Sequence, residues 1–262
     1  MTTTPILLLG AGRMGGAMIK GWGLTGAFDA KDLMVRDPHP SPEALAAGSV
    51  NPTDSVLAGA KTVILAVKPQ MWREAAAEVS PLLAPDAVIV SIAAGIRLGD
   101  IEQAFGGRRV VRIMPTTGVA IAKGVATILA KDDASRAVAH ALFDPIAATA
   151  DIADEGLMDA VIGVSGSAPA YLYAFIEALE AAGAGAGLDP EVAKTLARQT
   201  IISAAALLDA SGEEPAELRH QVTSPGGTTQ AALEVLMAPA GFPKLMTDAV
   251  AAAMRRSREL GG

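Results

Sequence analysis

"PILLLGAGRMGGAMIKGW", Pro5 to Trp22, decides the fold. An uninterrupted apolar run, Ile6 to Leu9, leads into Gly10, Gly12 and Gly15 in a G-x-G-x-x-G pattern, and an apolar helical stretch follows. A lone glycine pattern of this kind is a weak signal, but a buried strand before it and a helix after it are the context that gives it meaning. Gly10 allows the tight turn, Gly12 lets the backbone approach a pyrophosphate, and Gly15 lets the helix pack close to the strand. The start of the helix then offers unpaired N–H groups to an anion. The bland alternative is a strand-to-helix turn that merely happens to be rich in glycine.

Working outward, further apolar runs follow: "LMVR" (Leu33 to Arg36), "TVILAV" (Thr62 to Val67), "AVIVSI" (Ala87 to Ile92) and "VVRIM" (Val110 to Met114). They are continuous, not alternating, as expected of strands buried on both faces of a parallel sheet. "VATILA" (Val125 to Ala130) adds one or two late strands. After about residue 160 the strand texture disappears, and Ala, Leu, Glu, Ile and Met dominate between turns marked "GAGLDP", "SGEEP", "TSPGG" and "APAGFP". Four or five helices are expected there. "GAGAG" (Gly183 to Gly187) imitates a nucleotide loop, but with no strand before it we read a helix end and turn. The fold class is therefore α/β: an N-terminal Rossmann-like parallel sheet over residues 1–160, then an all-α C-terminal domain over 161–262. A helical domain of about 100 residues with little polar surface is hard to bury alone, so it is expected to pair with a second copy.

Composition narrows the possibilities. The formal net charge is -7, which disfavours nucleic acid and acidic membrane surfaces as partners. There is no cysteine, so disulfides, thiolate catalysis and cysteine-held metals are excluded. The N-terminal "MTTTPILLLG" does not read as a signal peptide, and the run nearest the roughly 20 apolar residues of a membrane span, "APAYLYAFIEALEAAGAGAGL", is interrupted by Glu177 and Glu180. A cytoplasmic protein is expected. His39 lies in a proline-rich loop and His140 in an expected helix, neither with a spaced carboxylate or second histidine, so no metal site is expected.

Candidate site residues cluster after the strands. Asp37, in "VRDPHP", lies where an acid would hold a ribose 2′-hydroxyl, whereas Arg36 beside it would suit a 2′-phosphate. The two argue opposite ways, and either also fits a solvated loop charge. In "AVKPQ", Lys68 falls at the carboxyl end of the sheet and Pro69 at a favoured helix start. "SIAAGI" ends its strand in small residues, which leave room for a flat ring. Late in the chain, "QVTSPGGTTQAALEVL" (Gln221 to Leu236) places Ser, Pro, Gly, Gly, Thr and Thr before a helix. Pro225 fixes one backbone angle, Gly226 and Gly227 permit close approach, and the helix start presents N–H groups and a positive dipole end. This makes a second anion site; simple N-capping by Ser224, Thr228 or Thr229 is the competing reading. Tyr171 suits either a packed core position or a hydrogen bond into a cleft, and His220 either a pH-sensing or a solvated helix-end position.

"GAGRMGGAM", "AVKPQ", "SIAAGI", "SGSAPAY" and "VTSPGGTTQAALEVL", in this order, resemble the pyrroline-5-carboxylate reductases. The resemblance covers nearly the whole chain, and its last motif is the most diagnostic. It implies reduction of the cyclic imine 1-pyrroline-5-carboxylate to L-proline, with NADP(H) expected ahead of NAD(H). It also implies a helical domain interlocked into a homodimer, with assembly into a decamer in many members. The implied cofactor site comprises Gly10, Gly12, Arg13, Met14 and Gly15, then Arg36 and Asp37, Ala66, Val67, Lys68 and Pro69, and Ala93 and Ala94. The implied substrate site comprises Val222, Ser224, Gly226, Gly227, Thr228 and Thr229, with Ser224 and Thr229 as the catalytic pair. Ser224 and Thr229 would hold the carboxylate through hydroxyls, the Gly227–Thr228 region through N–H groups, and the Val222 carbonyl would face the substrate nitrogen. Three departures from the family pattern involve four positions, Thr116, Gly118, Ala168 and His220. "MPTTG" stands for the usual Met-Pro-Asn-Thr-Pro, Ala168 for a glycine, and His220 for a frequent acid. Two other readings are a hydroxyacid dehydrogenase of similar layout and a dinucleotide-binding protein without catalysis. The first would need a lysine at the start of the long helix, which "SGSAPAYLYAFIEAL" lacks.

Overall fold

The computed structural model describes residues 3–261. Eight strands form one sheet: β1 (Ile6–Leu9), β2 (Leu33–Arg36), β3 (Ser49–Val50), β4 (Thr62–Leu65), β5 (Val88–Ser91), β6 (Val110–Pro115), β7 (Gly124–Ala130) and β8 (Ala147–Ile152). Their order is β3-β2-β1-β4-β5-β6-β7-β8, and every neighbouring pair is parallel except β6 with β7. β1 lies between β2 and β4, so the turn after it opens where the strand order reverses, the usual ligand crevice of such a sheet.

The continuous apolar runs are buried on both faces. Ile6, Leu8, Val35, Ile64 and Val90 face one core, and Leu7, Leu9, Val63, Leu65 and Ile89 the other. Each such side chain contributes about 1.5–3 kcal/mol on burial, which fixes the register. Helices α1 (Arg13–Thr25) and α6 (Asp133–Phe143) cover the first face, and the Trp22 indole N–H donates to the Leu142 carbonyl at 2.7 Å to tie them together. Helices α4 (Trp72–Val79) and α5 (Leu98–Ala104) cover the second. The short helices α2 (Pro42–Ala47) and α3 (Asp54–Leu57) flank β3.

After β8 the chain passes through α7 (Met158–Val161) and a π-helical run, Ile162–Gly166. Five helices follow: α8 (Ala168–Gly185), α9 (Pro190–Ser211), α10 (Pro215–Gln221), α11 (Thr228–Leu236) and α12 (Phe242–Gly261). The chain divides into two compact units. One is formed by the chain up to Gly166 with the stretch from Ala253, the other by Ser167–Ala252. The boundary expected at 160/161 falls inside the helical run before Gly166, and the end of α12 groups with the first unit.

In the second unit α8 and α9 form a hairpin. Asp189 caps α9 through the N–H groups of Glu191 and Val192, with Pro190 in its first turn and left-handed Gly212 at its end. Gly183 lies so near α9 that an added Cβ would be 3.2 Å from that of Ala193. The "GAGAG" segment therefore begins as the end of α8, up to Gly185, and closes on Gly187 with a positive φ. α8 buries none of its residues and α9 only Ala193 and Ala197, while Leu172, Leu179, Leu196 and Ile202 are exposed. Among the described residues no helix is long and apolar enough to cross a membrane.

Candidate active site

The glycine turn of the first unit is fixed by close approaches. Gly10 has φ +92 and donates to the Arg36 carbonyl at 2.9 Å, and a Cβ there would meet the Ala66 carbonyl oxygen at 2.9 Å. At Gly15 a Cβ would lie 2.3 Å from the Gly10 carbonyl oxygen, so the helix reaches the turn only as glycine. At Gly12 an added Cβ would meet nothing within 4 Å. Gly12 is also the N-cap of α1, with no side-chain cap, so the first N–H groups of a thirteen-residue helix are left without a capping side chain. These residues fit a pyrophosphate: a cradle floored by glycine, with backbone donors and a positive dipole end. Arg13 is exposed and Met14 half-buried at the start of α1.

Asp37 is committed to the turn. Its Oδ2 accepts the Ala11 N–H at 2.6 Å and its Oδ1 the His39 N–H at 2.7 Å. Asn51 brackets it, accepting the Asp37 N–H and donating to the Asp37 carbonyl. Arg36 is committed as well: one terminal nitrogen lies 3.0 Å from Asp54 Oδ1, the other 2.8 Å from Glu78 Oε1. A cavity of about 380 Å³ opens here, lined by Arg36, Asn51, Val67, Glu74 and Glu78 among others.

Ala66 and Val67 follow β4 half-buried, while Lys68 and Pro69 are exposed. Pro69 does not begin a helix. It sits inside a turn closed by the Met71 N–H on the Lys68 carbonyl at 2.9 Å, and α4 starts at Trp72. Proline at the second position of such a turn satisfies the same fixed φ that a helix start would have used. Ala93 is buried and Ala94 exposed after β5. A larger cavity of about 510 Å³ beside Gly95 holds charges that are already paired, Arg112 with Glu155 and Arg258 with Asp159.

"MPTTG" runs from the end of β6 into the β6–β7 connection. Thr116 accepts the Val125 N–H on its hydroxyl and donates its own N–H to the Val125 carbonyl, both at 2.9 Å. A Cβ at Gly118 would sit 2.6 Å from the Lys123 carbonyl oxygen.

In the second unit, Val222 and Thr223 follow α10, and Ser224 to Gly227 form the turn before α11. Gly226 has φ +72, a left-handed conformation that favours glycine. Gly227 supplies the N-cap of α11 with no side-chain cap, so the hydroxyls of Ser224, Thr228 and Thr229 do not cap it. Two backbone donors are already used: Gly226 N–H donates to Gln230 Oε1 at 2.7 Å, and Gly227 N–H to the Ser224 carbonyl at 3.0 Å. The donors left for an anion are those of the first turn of α11, from Thr228 onward. Gln230, which pins the turn, had no signal in the sequence beyond its spacing of four from Gly226. The loop is largely exposed, with Gly227 and Thr229 half-buried.

His140, expected to lack a spaced carboxylate, has two beside it. Its ring nitrogens lie 3.0 Å from Asp144 Oδ1, one helical turn on, and 3.1 Å from Asp151 Oδ2 of β8. The hydrogen bond to Asp144, and then that to Asp151, hold its pKa above the ordinary histidine value against the opposing effect of burial. The i,i+4 pair was visible in the sequence. Among the described residues no group of three or more metal-binding side chains forms. Tyr171 is half-buried, and its hydroxyl is buried without a hydrogen-bond partner among the described residues.

A family model for pyrroline-5-carboxylate reductase dimerisation matches residues 155–260, and one for coenzyme F420-dependent NADP oxidoreductases matches residues 5–95. A pyrroline-5-carboxylate reductase of Pseudomonas aeruginosa is 38% identical, covering 99% of this chain and 98% of its own. One from Pisum sativum is 35% identical over 96% of this chain and 94% of its own. Among solved structures, a pyrroline-5-carboxylate reductase from Coxiella burnetii superposes with a TM-score of 0.90 at 27% identity, with full coverage of both chains. A pyrroline carboxylate reductase from Plasmodium falciparum with NADP bound gives 0.85 at 25% identity, again over both whole chains. With both halves matched and its relatives aligned almost end to end, the chain belongs to the pyrroline-5-carboxylate reductase family.

Proposed function

We propose that this protein reduces 1-pyrroline-5-carboxylate to L-proline with a reduced nicotinamide dinucleotide. The observation that carries the reading is the pair of uncapped helix starts, at α1 and α11, each preceded by a glycine turn, in a chain matched over nearly its full length by reductases of this name. On this reading residues 1–160 hold the cofactor, and residues 161–262 hold the substrate and the dimer contact.

The first N–H groups of α1 bind the pyrophosphate, with Gly10, Gly12, Arg13, Met14 and Gly15 forming its cradle. Ala66, Val67, Lys68 and Pro69, with Ala93 and Ala94, line the crevice at the ends of β4 and β5, where small or turning backbone leaves space for the rings. Arg36 meets the ribose 2′ position, which favours NADP(H); the Plasmodium falciparum relative has NADP bound. Asp37 keeps the turn in shape through Ala11. The bound reduced nicotinamide supplies the hydride. The protein's task is orientation, because a protonated imine is already a good electrophile and the reacting atoms must be held about 3–3.5 Å apart. Ser224 and Thr229 hydroxyls, with the N–H groups from Thr228 onward, hold the carboxylate, and the Val222 carbonyl faces the ring nitrogen. Gly226 and Gly227 keep bulk away from it. No lysine or arginine is needed, so an acidic protein binds an anion by local dipoles. The protein acts as a homodimer through its dimerisation domain, assembles further to a decamer, and works in the cytoplasm.

Mixing the purified protein with pyrroline-5-carboxylate and either NADPH or NADH, and following the absorbance of the reduced cofactor, tests this directly. Steady oxidation with at least one of them is expected; none with either would remove the reductase reading.

A further inference from the structure

We propose that Glu78 on α4, with Asp54 on α3, weakens the protein's grip on the 2′-phosphate of NADP(H) by holding the Arg36 guanidinium between two carboxylates. The inference rests on the dinucleotide reading above. It concerns how strongly the site tells the two nicotinamide cofactors apart.

Arg36 ends β2, the place in this topology where a side chain meets the ribose 2′ position. Its two terminal nitrogens are taken from opposite sides, by Asp54 at 3.0 Å and by Glu78 at 2.8 Å. The Arg36 side chain is about a quarter exposed, so the pairs are partly shielded from water. One cation between two anions leaves a net charge of minus one. Glu74, one helical turn before Glu78, lines the same cavity and adds another negative charge. A 2′-phosphate brings close to two further negative charges into this surrounding. To bind bidentately to Arg36 it must compete with the two carboxylates for the same guanidinium, and it is repelled by them. A ribose 2′-hydroxyl carries no charge and suffers neither effect; Glu78 can accept its hydrogen bond. Asp37, the acid that the glycine pattern leads one to expect at this position, is bound to the Ala11 and His39 N–H groups. Discrimination therefore passes to a carboxylate from α4, far along the chain.

Dissociation constants of NADPH and NADH, measured by calorimetric titration without substrate, test the idea. Glu78→Gln is expected to tighten NADPH about threefold, the scale of a partly exposed charge pair, and to leave NADH nearly unchanged. Arg36→Gln should weaken NADPH more than NADH, and adding Glu78→Gln to it should recover less than it gains in the wild-type background. If Glu78→Gln weakens NADPH, the carboxylate prepares Arg36 for phosphate, and the inference is overturned. An unchanged NADPH-to-NADH ratio overturns it equally while leaving the dinucleotide reading intact. Failure of the wild-type protein to bind either nucleotide removes both.

Discussion

A Cβ added at Gly15 would lie 2.3 Å from a backbone oxygen, whereas one added at Gly226 would meet nothing within 4 Å. Gly15 lies in the first turn of α1 and Gly226 in the turn ahead of α11, yet the protein constrains them differently. The first turn is embedded: β1 is fully buried beneath it, the end of β4 presses on Gly10, and Asp37 holds Ala11. Its shape is set before any ligand arrives. The second turn stands in the open and is held by its own neighbours, Gln230 and Ser224. Its glycine is required by backbone conformation, not by crowding. On the proposed reading, in which the first turn holds the cofactor and the second the substrate, the two should therefore fail in different ways when mutated.

The largest effect is expected at the embedded turn. Gly15→Ala drives a methyl group into backbone, and the cost should reach the upper end of about 1–3 kcal/mol, with loss of cofactor binding. A denaturant midpoint equal to the wild type would break the comparison at once. Gly226→Ala should cost less, about 1 kcal/mol for the left-handed backbone. Together with Thr229→Ala it should raise KM for the imine several-fold while the cofactor dissociation constant stays put. Parallel losses in both constants would show that the second turn is not a separate substrate cradle.

The smallest effect concerns charge in the first unit. His140 is held above its ordinary pKa by Asp144 and then Asp151, so its contribution to stability is fully present below about pH 6.5 and fades as pH rises through the raised folded value. Denaturant midpoints at about pH 5.5 and about pH 9 should differ less for His140→Gln than for the wild type. An identical difference would remove the histidine from the balance.

Much of this was legible in the sequence because local physics set it. Buried parallel strands read as unbroken apolar runs, and the glycine turn read from its spacing. β3 escaped notice because two residues carry no pattern, and β8, "AATADI", because an edge strand half exposed needs neither branching nor bulk. At the site, the residue types were readable but their partners were not. Asp37 reaches Ala11 across 26 residues, and Arg36 is divided between Asp54 and Glu78, which lie on two different helices. Pairings of that reach arise only once the sheet has brought its strand ends together. Pro69 shows the limit at short range, since one fixed φ serves a turn and a helix start equally well.

The β6–β7 connection restricts which residues its turn accepts. With Thr116 bonded on both its hydroxyl and its N–H, the backbone brings Lys123 over Gly118, and Ala122 adopts a left-handed φ of 55. Restoring the family's proline at position 118 by itself would collide with that carbonyl. A side chain at position 118 is then admitted only if the backbone around Lys123 moves with it, so this turn changes as a unit.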